Sequence, residues 1–152
     1  MSIKIVRTAE QPWETALQRG PYSQQRKPLG GVDLKCSLWQ LAPGKKSFPF
    51  HAHHVTEEAL FVLSGRGKVR GADGEQPIGA GDYVSFPTGA AHQLINDGAE
   101  PLVYVGMSAG KGVDVVDYPD SGKVALSIGT FPTGRRAVFR TKDQADYFEG
   151  EE

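Results

Sequence analysis

Residues 44–65 read GKKSFPFHAHHVTEEALFVLSG and contain three of the four histidines of this 152-residue chain. The first half of the segment alternates with a period of two, which predicts a strand, and EALFVLSG predicts a second, buried strand. Side chains two positions apart on a strand lie on one face. We therefore expect His51 and His53 to project together and His54 to point away, with Glu58 opening the following strand.

A second segment, GDYVSFPTGAAHQLIN at residues 81–96, supplies the fourth histidine, His92, on a later predicted strand. If both segments line one barrel, three imidazoles and one carboxylate converge in its interior. Such a mixed nitrogen and oxygen site suits Mn, Fe, Co, Ni, Cu or Zn and leaves open positions for water or substrate. The expected cofactor is one divalent transition metal.

Short strand signals continue on both sides of these segments. The chain has 19 Gly and 10 Pro, and between residues 34 and 110 the signals recur about every 8–12 residues, a spacing typical of β-barrels and sandwiches. We expect an all-β jelly-roll barrel in one domain. An N-terminal arm at 1–33 contains two predicted helical turns at 13–20, the barrel occupies 34–112, and further strands and a tail at 113–152 pack on it.

The two histidine segments together resemble the motifs of the cupin superfamily. The first motif is a glycine, about five residues, H-x-H, three or four residues, E, six residues and a glycine; here it reads Gly44-KKSFPF-His51-Ala-His53-HVTE-Glu58-ALFVLS-Gly65, with one extra residue before the histidines. The second motif, G-x5-P-x-G-x2-H-x3-N, is matched throughout by Gly81-DYVSF-Pro87-Thr-Gly89-AA-His92-QLI-Asn96.

The resemblance implies a double-stranded β-helix with His51, His53, Glu58 and His92 as metal ligands, and a homodimer. The motif glycines are expected at turns with positive φ or at close backbone approaches. His54 and Glu57 have the opposite parity from the ligands and are expected at the surface or rim.

Polar and aromatic side chains of the barrel strands are candidates for binding a small-molecule ligand. An arginine and a lysine could hold an anion at a pocket mouth, although such a row is also typical of a solvated strand edge. Most of the aromatic residues are expected in the core. The candidate ligand-binding residues are Gln40, Phe50, Arg66, Lys68, Gln93, Asn96 and Tyr104.

Charge and composition exclude some classes of partner. Seventeen basic and 18 acidic residues give no field that attracts a polyanion, so we expect no nucleic-acid partner. No apolar run approaches the ~20 residues of a membrane span, and no signal-peptide pattern is present, so we expect no membrane partner. Cys36 alone excludes an intramolecular disulfide. A cytoplasmic location is expected.

Three functions are consistent with this reading. The first is a metal-dependent enzyme acting on a small polar metabolite such as a sugar or sugar phosphate, as in isomerase-like cupins, with Glu58 or a metal-bound hydroxide as the base. The second is an Fe(II)-dependent dioxygenase. The third is a non-catalytic module that binds or senses a small ligand such as a sugar.

Overall fold

The computed structural model describes residues 3–129 and 134–151, which form thirteen strands and three single-turn 3-10 helices. The helices span Thr8–Glu10, Pro119–Ser121 and Thr141–Asp143. The strands are β1 (Glu14–Arg19), β2 (Tyr22–Gly30), β3 (Leu34–Leu41), β4 (Ala52–His53), β5 (Glu57–Ser64), β6 (Arg66–Gly71), β7 (Gly74–Gly79), β8 (Tyr83–Phe86), β9 (Gln93–Ile95), β10 (Leu102–Ala109), β11 (Val113–Tyr118), β12 (Lys123–Ile128) and β13 (Arg135–Arg140).

The strands pair antiparallel in three sheets. The largest sheet has the order β1-β2-β3-β10-β5-β8, and the other two have the orders β13-β12-β11-β4 and β7-β6-β9. An antiparallel bridge between His51 and His92 joins the two smaller sheets. The joined sheets place one set of strands opposite the large sheet, as in a jelly roll.

The core lies between these two layers. Leu41, Val62 and Leu102 of the large sheet are fully buried, and they cluster with Ile78 and Leu94 of the facing sheet. Complete burial of one such side chain contributes about 1.5–3 kcal/mol. This cluster packs the two layers of strands against each other.

The further strands predicted within 113–152 are present as β11, β12 and β13. The strand predicted in the first half of residues 44–65 is regular only over Ala52–His53. Pro49 has no amide hydrogen for a ladder, and the segment is instead tied to its neighbour by separate bridges at Lys46 and His51.

The helical turns predicted at 13–20 are wrong, since this segment forms strand β1. Its residues have good helix propensity, but an isolated helix this short is marginal in water. Pairing with β2, in the register Glu14 with Arg26 and Arg19 with Tyr22, satisfies the backbone instead. The arm therefore contains a hairpin that extends the large sheet.

The motif glycines behave as predicted: Gly44, Gly65, Gly81 and Gly89 all have φ between 68° and 94°. At Gly65 a second constraint applies, because a Cβ atom there would lie 2.4 Å from the carbonyl oxygen of Pro101. Backbone approaches this close are possible only for glycine.

Within residues 3–129 and 134–151, no helix has both the length and the apolar character needed to cross a bilayer.

Candidate metal centre

His51 and His92 occupy directly opposed positions on neighbouring chain segments. The amide of His51 donates to the carbonyl of His92 at 3.2 Å, and the amide of His92 donates back at 2.8 Å. This reciprocal pair holds the two imidazole rings with centroids 4.7 Å apart. His53, two residues after His51, places its ring 4.9 Å from that of His51, as the strand parity predicted.

Glu58 reaches the histidines from the opposite sheet, where β5 begins. Its Oε2 lies 3.2 Å from Nε2 of His92 and 3.6 Å from Nε2 of His53. Ligand atoms of His51, Glu58 and His92 all lie within 4.8 Å of one another. The structure thus brings together the four side chains that the sequence singled out, with His53 at the margin of the tightest group.

In each of His51, His53 and His92, Nδ1 forms a hydrogen bond to a carbonyl or carboxylate oxygen, which acts only as an acceptor. Nδ1–H of His51 donates to the Pro49 carbonyl at 2.8 Å, and that of His92 donates to the Ala90 carbonyl at 2.9 Å. His53 donates to the carboxylate of Asp114 at 2.5 Å. In the neutral rings these bonds leave the proton on Nδ1 and the lone pair on Nε2, which is the tautomer of a metal ligand.

This arrangement fits a cation. With Nδ1 protonated, the Nε2 lone pairs of His92 and His53 face an acceptor oxygen of Glu58, and a proton or a metal ion is needed to make these contacts attractive. Imidazole nitrogens together with a carboxylate form the donor set of divalent transition metals. The side chains of this structure therefore match the expected cofactor class.

Burial and neighbouring charges favour the ligand forms of two of these groups. Burial, with repulsion from His92, lowers the pKa of His51 to about 4. Burial acts to raise the pKa of Glu58, but contact with His92 and the charges of His53 and His51 outweigh it and lower that pKa. A neutral imidazole and an ionised carboxylate are the forms that bind metal.

Aromatic side chains frame two of the imidazoles. The Phe86 ring stacks on His92 with centroids 3.9 Å apart, and Tyr118 stacks on His51 at 6.2 Å. Side-chain exposure rises from 9% at His92 through 17% at His53 to 29% at Glu58. Glu58 is therefore the most solvent-exposed of these three side chains.

Asp114 and Tyr118 contact the centre and were not among the sequence candidates. Both lie on β11, where they share one face with Val116, whose pairing with His53 brings this strand beside the histidines. The only sequence pattern that could have indicated Asp114 is an acidic residue between two valines in VDVVDY, residues 113–118. That pattern shows an inward carboxylate only once the partner strand is known.

Two predicted ligand residues are engaged inside the protein. Asn96 is fully buried; its Nδ2 donates to the carbonyls of Leu41 and Glu100, each at 2.9 Å, and its Oδ1 accepts from the Gly98 amide at 2.9 Å. These bonds fix the turn after β9. Tyr104 is a core residue.

The hydroxyl of Tyr104 donates to Oε1 of Gln24 at 3.2 Å, and its ring stacks on Trp39 at 6.5 Å. Burial, with a smaller contribution from the charge of Glu58, raises the pKa of the Tyr104 phenol, so the hydroxyl stays protonated. Gln40 follows Trp39 on β3 and projects to the other face.

Phe50 and Gln93 lie on the opposite face of the smaller sheets from the imidazoles. Gln93 pairs across the ladder with Arg70, whose guanidinium carbon lies 4.1 Å from the centroid of the Phe50 ring. The Gln93 amide donates to the carbonyl of Phe48 at 2.6 Å. A role of Phe50 or Gln93 in ligand binding stays a prediction.

The cations predicted on β6 project away from the metal centre. Val69 packs on the core, so Lys68, its neighbour on the strand, faces outward, where its Nζ lies 3.3 Å from Glu75 and 3.2 Å from Asp97. Arg66 is exposed on the same strand. The structure does not bring these two residues to the imidazoles.

The rim prediction for His54 and Glu57 agrees with the structure. His54 is about half exposed and its Nε2 lies 2.7 Å from Asp117, and Glu57 is exposed.

Comparison with known proteins gives one family and several solved relatives. A family model described as "Cupin domain" matches residues 37–108. A crystal structure from Acidithiobacillus ferrooxidans, of a protein proposed to be a sugar phosphate isomerase, is 34% identical with a TM-score of 0.73, and the match covers 83% of this chain and 81% of that one.

A sugar phosphate isomerase of the cupin superfamily from Silicibacter pomeroyi has a TM-score of 0.78 at 20% identity, over 96% of this chain and 98% of its own. That likeness confirms the expected fold. Gentisate 1,2-dioxygenase from a Ralstonia species is 34% identical over 80 residues, which is 52% of this chain and 20% of the dioxygenase. The match thus spans about a fifth of that curated relative.

Proposed function

This chain belongs to the cupin superfamily, and from that premise we propose that it is a metal-dependent isomerase of a small sugar phosphate. The observation that carries the proposal is the donor set, in which three imidazoles with engaged Nδ1 atoms meet one carboxylate. The relative from Acidithiobacillus ferrooxidans, at 34% identity, supports the substrate class.

The proposed reaction moves one hydrogen between adjacent carbons. A base removes the proton from the carbon that carries a hydroxyl next to the carbonyl, and the proton returns to the former carbonyl carbon. The hydroxyl proton passes to the former carbonyl oxygen, so the carbonyl and the hydroxyl exchange places and atoms and electrons balance. A divalent cation in this site would supply Lewis-acid stabilisation of the negative charge on the substrate oxygens. Glu58, the most exposed of the four side chains, is the proposed proton acceptor.

Two cations in line with Tyr118 support a phosphorylated substrate. Tyr118 pairs with Lys123, and Lys123 pairs with Arg140, across β11, β12 and β13, so the three side chains form a row on one face. The row begins at the metal centre, because Tyr118 stacks on His51, and Lys123 Nζ lies 5.6 Å from the Tyr118 ring.

Lys123 and Arg140 also line a cavity of about 460 Å³, together with Val138, Phe139 and Asp143. Across residues 3–129 and 134–151, neither cation forms an ion pair with a carboxylate. A guanidinium and an ammonium group are typical partners of a phosphate. We place the phosphate of the substrate here, with its carbonyl end at the imidazoles.

Solvent-hydrogen exchange tests the proposal directly. The apoprotein is loaded separately with Mn, Fe(II), Co, Ni, Cu or Zn, and NMR follows deuterium entering sugar phosphates in heavy water. The expected result is metal-dependent exchange at the carbon next to the carbonyl, and its absence from the His51→Ala/His92→Ala variant. No exchange with any metal and any sugar phosphate would contradict the proposal.

An Fe(II) dioxygenase is the second candidate, favoured by the match to gentisate 1,2-dioxygenase. The tightest group, His51, Glu58 and His92, is a set of two imidazoles and one carboxylate, which is typical of non-haem iron oxygenases. Oxygen uptake that depends on both iron and an aromatic substrate, without exchange in sugar phosphates, would favour this function. Tight ligand binding without either activity would favour a binding or sensing module.

We also propose a homodimer, formed through an apolar face of the C-terminal strands. Val113, Leu126 and Ile128 project from one side of β11 and β12 and are 44–50% exposed. Exposed apolar patches of this kind mark interaction surfaces. Sedimentation velocity at micromolar concentration is expected to show a dimer that Leu126→Lys dissociates and that Val138→Lys, on the opposite face, leaves intact. A monomeric wild-type protein would overturn this.

A further inference from the structure

We propose that Asp114 is a positioning residue of the metal centre, which fixes the orientation and tautomer of His53; this inference rests on the proposed metal-dependent function. The contact is short, with Oδ2 of Asp114 2.5 Å from Nδ1 of His53. Both side chains are largely buried, with 11% and 17% of their surface exposed. Asp114 lies beyond residues 37–108, which the family model matches.

His53 differs from the other two histidines in the source of its Nδ1 partner. His51 and His92 each bond the carbonyl two residues earlier in the chain, at Pro49 and Ala90, so their ring orientation is set locally. His53 instead depends on a side chain from another strand. Removal of that carboxylate leaves its ring with no such local anchor.

The Asp114 carboxylate is itself held in place. Its Oδ1 accepts from the amides of His54 at 3.2 Å and Val55 at 2.9 Å, while its Oδ2 accepts from Nδ1 of His53. A carboxylate with this many donors has little freedom to rotate. It can therefore impose its direction on the imidazole.

The consequence for His53 is both geometric and electronic. An acceptor at Nδ1 keeps the proton there and directs Nε2 toward Glu58, 3.6 Å away. A negative charge behind the ring also raises the basicity of a ligand nitrogen. Loss of such a partner typically weakens metal binding by about 10–100-fold.

The test compares Asp114→Asn with Asp117→Asn. Asp117 lies on the same strand and contacts a histidine, His54, at 2.7 Å, but that pair is about half exposed at the rim. Zn²⁺ is the probe, and its dissociation constant is measured by chelator competition. We expect Asp114→Asn to weaken Zn²⁺ binding by about 10–100-fold and Asp117→Asn to leave it unchanged.

A second readout separates positioning from a merely structural role. Long-range ¹H–¹⁵N spectra of the apoprotein report which nitrogen of each neutral imidazole carries the proton. The wild type is expected to show Nδ1–H at His53, and Asp114→Asn is expected to raise the Nε2–H population at that residue alone. In a His53→Ala background, Asp114→Asn should cause no further loss of Zn²⁺ affinity.

Each outcome bears on a different claim. Unchanged Zn²⁺ affinity in Asp114→Asn, or an Nε2–H tautomer at His53 in the wild type, would overturn the role of Asp114. The spectrum needs no variant, so it decides the question even if Asp114→Asn does not fold. A wild type that shows Nδ1–H at His53 but binds no Zn²⁺ would instead count against the proposed metal-dependent function, with the Asp114 contact intact.

Discussion

Nε2 of His92 and Oε2 of Glu58, which come from opposite sheets, lie 3.2 Å apart. Because Nδ1 of His92 donates to a backbone carbonyl, this contact joins two acceptors unless a proton or a metal ion lies between them. The pair is therefore a point at which a bound cation would bridge the two layers of the protein.

Removal of two imidazoles is expected to abolish metal binding. His51→Ala/His92→Ala takes away two of the three side chains in the tightest group, so the loss of affinity should exceed the ~10–100-fold typical of outer-shell changes. Elemental analysis after dialysis measures the bound metal. Metal retained at the wild-type level would show that the ligands lie elsewhere.

Metal should also stabilise the wild type against heat. A ligand at 100 times its dissociation constant stabilises the folded state by about 2.7 kcal/mol, so the Tm of the apoprotein should rise when a divalent metal is restored. Differential scanning calorimetry of the wild type and His51→Ala/His92→Ala checks this. An equal rise in both proteins would indicate binding away from the imidazoles.

Loss of the two cations on β12 and β13 should weaken substrate binding more than turnover. Lys123→Ala/Arg140→Ala removes charge-assisted hydrogen bonds worth about 1.5–3 kcal/mol each, so KM for a sugar phosphate should rise by at least about tenfold while kcat changes little. The control is Arg135→Ala, on the opposite face of β13. Equal KM values in the variant and control would place the phosphate elsewhere.

Gly65→Ala should destabilise the fold more than Gly89→Ala. Both glycines have φ of 82°, so alanine at either position meets the same left-handed strain of roughly 1–2 kcal/mol. Only at Gly65 would the new Cβ also lie 2.4 Å from a carbonyl oxygen, whereas nothing lies within 4 Å at Gly89. Urea unfolding measures the difference, and equal losses would contradict the close approach.

Asn96→Ala should lower stability, whatever its effect on ligands. It removes three hydrogen bonds inside the protein, and at roughly 1 kcal/mol each, with partners left buried, the free energy of unfolding should fall by about 2–4 kcal/mol. Asp97→Asn, next in the chain and part of an exposed ion pair with Lys68, is the control. A stable Asn96→Ala that no longer binds ligand would support the predicted ligand role instead.

Arg66 and Lys68 are predicted to bind a ligand because they share a strand face, and that face turns away from the core, since Val69, next to Lys68, packs on it. Their role in ligand binding stays a prediction. The row of Tyr118, Lys123 and Arg140 could not be predicted from the sequence, because these side chains become neighbours only when β11, β12 and β13 pair in their observed register.

By itself the sequence determined the barrel strands, the positive-φ glycines and the four inward side chains His51, His53, Glu58 and His92. These follow from strand parity, turn chemistry and motif spacing, all of which act between residues close in the chain. Tertiary structure alone decided that 13–20 is a strand and that Asp114 holds His53. Both depend on pairing between segments that are distant in the chain. Local propensity does not include the free energy of that pairing, because the hydrogen bonds and contacts form only when the two backbones are in register.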